Sequence, residues 1–144
     1  IHPAETRDLA ALKSNRWLLS DPLAAAATPE RFRNYIQRSG AEFSVAQGIY
    51  VDTSCGWFSD RTVRYLASGR PALVQETGFS DNIPVGKGLL AFRTLAEAVR
   101  GAEAIVNDYD THAQAARALA VSYFDSDKVL AKLLADIGVA IPKV

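Results

Sequence analysis

The stretch SCGWFSDRTVRYLASGRPALVQETGF, Ser54 to Phe79, decides the fold. It opens as a loop holding Cys55, Gly56, Trp57 and Phe58. Ser59 then reads as a helix N-cap with Asp60 in the first turn, a pairing that satisfies an orphan amide and complements the helix dipole. Val63, Leu66 and Ala67 recur at i, i+3 and i+4, and Gly69 stands at the stop. Pro71 opens PALVQ, a short continuous apolar run of the kind found in strands covered on both faces. A turn-rich loop, ETGFSDNIPVGKG, follows. A helix leading into a non-alternating strand is half of a parallel-sheet unit.

The same alternation extends outward. Upstream, PAETRDLAALKSN (3–15) predicts a helix with Leu9 and Leu12 on one face. RWLLS (16–20) reads as a buried strand broken by Asp21-Pro22, and LAAAA as a helical turn. Thr28, Pro29 and Glu30 mark a helix start, with Phe32, Tyr35 and Ile36 on one face and Gly40 after its end. AEFSVA (41–46) is a strand candidate, and residues 47–58 have no helical period. Downstream, LLAF (89–92) is a strand. Thr94 with Glu97 forms a capping box for a helix over 95–106. Asp110 or Thr111 caps the next helix, and Ser126 caps the last, which ends at Gly138.

Four short strands alternating with helices predict an α/β fold, with a mostly parallel sheet and helices on both faces. The length of 144 residues is that of one domain, 1–144. Four strands are few for such a sheet. The chain also contains no Met and begins at Ile1. The expectation is an N-terminally truncated piece of a longer protein, whose open sheet edge would invite self-association.

Apolar residues make up 49% and charged residues 22%, with zero net charge, which suits a globular core rather than disorder. No cluster of Lys and Arg suggests nucleic acid or an anionic membrane as a partner. No apolar run approaches the ~20 residues of a membrane span. The single cysteine excludes an internal disulfide framework and a zinc cluster. These features predict a cytoplasmic protein of a reducing compartment.

In open α/β sheets, ligands sit beyond the carboxyl ends of the strands. The loop before Ser59 and the loop after Gln75 both fall there. Amides of Ser59 to Thr62 would receive an anion, above all a phosphate, and Arg61 would add a bidentate contact. Asp60 works against this. Trp57 or Phe58 would stack on a flat ring; Thr77, Gly78 and Phe79 would face the same crevice, with Gly78 allowing close backbone approach. The plainer alternative is an ordinary helix cap with Trp57 and Phe58 folded under as core. His112 reads as a helix-surface or interhelix residue and Cys55 as a buried structural thiol. Glu42 and Glu76 are carboxylates at strand ends that no spacing pairs. The two D-x-D spacings, Asp108–Asp110 and Asp125–Asp127, fall at predicted helix starts and not in these two loops, and no metal is expected.

GWFSDRTVRYLASGRPALVQETGF, followed by PVGKGLLAFRTLAEAV, resembles the C-terminal, donor-binding half of GT-B-fold glycosyltransferases, and most closely a bacterial group labelled glycosyltransferase family 1-like. YIQRSGAEFSVAQGIYV and SYFDSDKVL share the resemblance, which covers most of the chain from Arg16 onward. It implies a Rossmann-like domain that binds a nucleotide-diphosphate sugar as donor substrate, without a further cofactor. Gly56 to Arg61 would meet the diphosphate, and Thr77 to Phe79 the sugar. It also implies a partner, an N-terminal acceptor domain missing from this chain, so the isolated piece would not catalyse transfer and its catalytic residues are unassigned. One departure matters: Gly56 and Arg64 stand where many retaining members carry glutamates, the second of which binds the ribose. A non-catalytic ligand- or protein-binding module that keeps the fold is the alternative.

Overall fold

The computed structural model describes residues 4–139. The chain divides into two compact units, Ile1–Tyr35 and Ile36–Val144. Within the first lie α1 (Thr6–Ser14) and α2 (Pro22–Ala26), neither of which buries a residue, and the start of α3 (Pro29–Arg38). Thr28 caps α3 through its hydroxyl, which accepts from the Arg31 amide at 3.3 Å.

The expected strand over 16–20 is absent. Its first residues instead complete the stop of α1. The Arg16 amide donates to the Lys13 carbonyl and the Trp17 amide to the Leu12 carbonyl, with Arg16 at φ 63°. That is a Schellman stop with arginine in the left-handed position usually held by glycine. The remaining apolar residues take part in no strand, and Leu18 is 95% exposed.

The second unit contains a three-stranded parallel sheet in the order β1 (Glu42–Ser44), β2 (Ala72–Gln75), β3 (Leu89–Phe92). Glu42 pairs with Ala72, and Ala72 with Leu89. Successive residues point to opposite faces. On one face Ala72, Val74 and Leu89 pack with Leu66 of α5 (Asp60–Ala67), and with Ala116, Leu119 and Ala120 of α7 (Tyr109–Tyr123). On the other, Leu73 and Phe92 pack with Ala98 and Ile105 of α6 (Leu95–Asn107). Gly101 lets α6 lie close, since a Cβ there would come within 2.6 Å of Leu73 Cδ1. The fold is therefore α/β, with helices on both faces of a parallel sheet of three strands rather than four.

Several helix limits follow the sequence and several do not. Ser59 caps α5, and Thr94 with Glu97 forms the full capping box of α6. The loop expected over 47–58 holds a short helix, α4 (Gly48–Asp52). Of the face expected on α5, Leu66 is buried and Ala67 packs partly buried against the core, while the other fully buried residues are Thr62 and Tyr65 rather than Val63. α7 begins at Tyr109 straight after α6, so neither Asp110 nor Thr111 caps it. Asp125, not Ser126, caps α8 (Ser126–Asp136), accepting from the amides of Asp127 and Lys128. Between β2 and β3 the chain makes only a single 3-10 turn, Phe79–Asp81.

Four hydrogen bonds fix the amino edge of the sheet. His112 is buried and its Nδ1 accepts from the Gly88 amide at 3.1 Å, which places the proton of the neutral ring on Nε2. It thus fastens α7 to the entry of β3, a role different from the helix-surface or interhelix one expected. Arg70 donates to the Tyr109 hydroxyl at 3.0 Å and to the Gln37 carbonyl. The Tyr109 hydroxyl donates to the Gly40 carbonyl at 2.7 Å.

Candidate functional site

The loop residues singled out in the sequence, Cys55 to Ser59 and Thr77 to Phe79, gather beyond the carboxyl ends of β1 and β2. Ser59, buried and extended at φ −74° and ψ 135°, turns its hydroxyl onto the Arg61 amide at 3.2 Å. That accounts for one of the orphan donors that open α5. Asp60 lies outward in an i, i+4 ion pair with Arg64 at 2.9 Å.

Arg61 turns toward the sheet. Glu42 and Ser44 share one face of β1 because they are two residues apart. The Arg61 Nε donates to Glu42 Oε1 at 2.6 Å, and its Nη2 to the Ser44 hydroxyl at 2.8 Å. The guanidinium expected for a bound phosphate is thus engaged by a buried carboxylate.

The loops before α5 and after β2 are bonded to each other. The Gly56 amide donates to the Thr77 carbonyl at 2.7 Å, and the Thr77 hydroxyl to the Trp57 carbonyl at 2.6 Å. Gly78 sits at φ 96°, and a Cβ there would come within 2.6 Å of the Ser54 carbonyl oxygen. The open space that glycine provides is occupied by the facing loop. Phe79 is buried and packs with Phe58 at 5.1 Å between ring centroids; Phe58 in turn stacks on Phe124 at 5.6 Å. Phe58 and Phe79 are core contacts. Trp57 stacks on Tyr50 of α4 at 4.9 Å and stays half-buried. Cys55, expected to be buried, is exposed in the same loop.

Glu76, at the end of the central strand, organises this junction. Its Oε1 accepts the Thr77 amide at 3.0 Å and the Gly78 amide at 2.6 Å. Burial pushes its carboxyl up, but hydrogen bonds from the Ser80 side chain and the Gly78 and Ser80 amides, with the charge of Arg93, together outweigh burial and hold it below its ordinary value. The stabilisation it contributes is therefore present above that ordinary value and is lost as pH falls through the lowered one. Its Oε2 is buried and accepts no hydrogen bond among the described residues; the Arg93 guanidinium lies 3.9 Å away.

Sequence reasoning placed Gly56, Trp57, Thr77 and Gly78 side by side and located the start of α5 correctly. It missed Tyr50, Ser44 and Arg93, and it left Glu42 and Glu76 without roles. The parity of Glu42 and Ser44 on β1 was a usable signal for Arg61; nothing local pointed to Arg93. Among the described residues, no group of three or more His, Cys, Asp or Glu is placed to hold a metal ion, and no helix is long and apolar enough to cross a membrane. Comparison with family models, curated proteins and solved structures gives no match.

Proposed function

We propose that this chain is the Rossmann-like, nucleotide-sugar donor-binding part of a cytoplasmic GT-B glycosyltransferase whose acceptor domain lies elsewhere. The observation that carries this reading is the junction itself. The loop Gly56–Phe58 and the loop Thr77–Phe79, bonded to each other, meet beside the Ser59-capped start of α5 at the carboxyl edge of a parallel sheet. That edge is where α/β folds place ligands. The amides opening α5 would receive the diphosphate, and catalysis in the whole enzyme would rest on stabilising leaving-group charge.

A second reading, a non-catalytic ligand- or protein-binding module, is favoured by one observation: Arg61 is bonded to Glu42 and Ser44. The two separate by experiment. In a Trp17→Phe background, Trp57 fluorescence reports on the junction. Titration with UDP, GDP and dTDP is expected to shift it saturably with at least one of them. A flat response to all three overturns the donor-site reading, while saturable binding without sugar transfer by a chain joined to an acceptor domain favours the module.

A further inference from the structure

Two arginines stand near the carboxyl edge of the sheet, and they are held very differently. Arg61 makes two short bonds to groups on β1. Arg93, just past the end of β3, has a side chain that is 71% exposed and reaches its ion-pair partner, Glu76 Oε2, only at 3.9 Å. At that distance no hydrogen bond forms. Glu76 is itself more than nine-tenths buried, and while Oε1 is bonded to loop amides, Oε2 accepts no hydrogen bond among the described residues. A buried carboxylate oxygen without a donor is rare in folded proteins and calls for a specific cause.

We infer that Glu76 and Arg93 form a two-part clamp for a ligand that carries both a hydroxyl and a phosphate group. The hydroxyl donates to Glu76 Oε2, and Arg93, being long and mostly exposed, swings from its distant partner onto the phosphate. Arginine suits this because its planar fork matches phosphate oxygens. The clamp lies next to the Trp57–Thr77 junction, since Glu76 Oε1 accepts the Thr77 amide. Both a sugar phosphate and the ribose and diphosphate of a nucleotide have this chemistry. The inference deepens the donor-site reading, on which it rests for the identity of the nucleotide, and moves the phosphate contact from Arg61 to Arg93.

The test is isothermal titration of the 144-residue chain with inorganic pyrophosphate, glucose 1-phosphate and UDP at fixed ionic strength. Arg93→Ala is expected to weaken all three by about tenfold, the loss typical of one charge-assisted contact. Glu76→Gln keeps an oxygen for the loop amides but replaces the acceptor Oε2 with a donor. It is expected to weaken glucose 1-phosphate and UDP about tenfold and leave pyrophosphate unchanged. If Glu76→Gln does not fold, the exposed Arg93→Ala still decides the matter. UDP binding lost in Arg61→Ala and unchanged in Arg93→Ala overturns the clamp and leaves the donor site at α5. Clamp-dependent binding of glucose 1-phosphate without any binding of UDP upholds the clamp and overturns the nucleotide. A wild-type chain that binds none of the three overturns both.

Discussion

RWLLS (16–20) and PALVQ (71–75) are both short apolar runs that read as strands, yet only the second becomes one. Both stand at the same kind of helix stop, which the first two residues of RWLLS form and PALVQ follows. Arg16 and Trp17 bond back to Lys13 and Leu12; Gly69 and Arg70 bond back to Leu66 and Tyr65. The difference lies beyond the stop. PALVQ enters between two strands and gains a ladder on each side, with α5 and α7 over one face and α6 over the other. RWLLS enters no sheet. A short apolar run therefore has no strand identity of its own, which is why β-propensity depends so strongly on context.

Leu73→Ala and Leu18→Ala test this contrast most directly. Leu73 is buried against α6, and its truncation is expected to cost about 2–5 kcal/mol in urea unfolding. Leu18→Ala is expected to stay within about 0.5 kcal/mol. Equal losses would mean that residues 16–20 are packed as tightly as β2, and the comparison would fail.

A smaller effect is expected at Arg61, where the sequence alone suggests an exposed ligand contact. Its removal strands Glu42, a buried carboxylate. Breaking a fully buried pair costs about 3–5 kcal/mol. The Arg61 side chain is 47% exposed, so solvent screening reduces this to about 1–2 kcal/mol. Glu42→Gln combined with Arg61→Ala is expected to recover part of the loss by thermal unfolding. No recovery would mean the pair is not what holds the start of α5 to β1.

The smallest effects lie at the two helix stops. Arg16→Gly places at φ 63° a residue that adopts it without strain and is expected to stabilise by about 0.5–1 kcal/mol; Gly69→Ala at φ 65° is expected to cost about 1 kcal/mol. Opposite signs in thermal melts would confirm that one motif is built from two sequences. Matching signs would show that the stops differ.

Those same positions mark what was legible. Ser59, Thr94 with Glu97, and Gly69 act within a few residues of themselves, so local chemistry suffices to read them. The bond from Arg61 to Glu42 spans the chain from β1 to α5, and that from Gly56 to Thr77 joins two loops across a helix and a strand. Both depend on which strands become neighbours, and spacing does not encode that. The sequence suggests that Gly78 lets a ligand approach the backbone; the group found close to it is the Ser54 carbonyl. Asp125 in place of Ser126 is a one-residue ambiguity between adjacent capping types, settled by which side chain reaches the first amides.

The connection between β2 and β3 has an implication for assembly order. It contains only one 3-10 turn, and much of the cover over Val74 and Leu89, beyond Leu66 and Phe79, comes from α7, downstream of both strands and of α6. A nascent chain can build β1, α5 and β2 as they emerge, but that side of the sheet is only partly covered, by α5, until Ala116, Leu119 and Ala120 arrive. Closure of a long loop must then precede the reward of burial, which slows folding. The bond from the Gly88 amide to His112 lies at the start of that final docking step, so truncation before α7 should leave a sticky, incomplete sheet rather than a smaller stable domain.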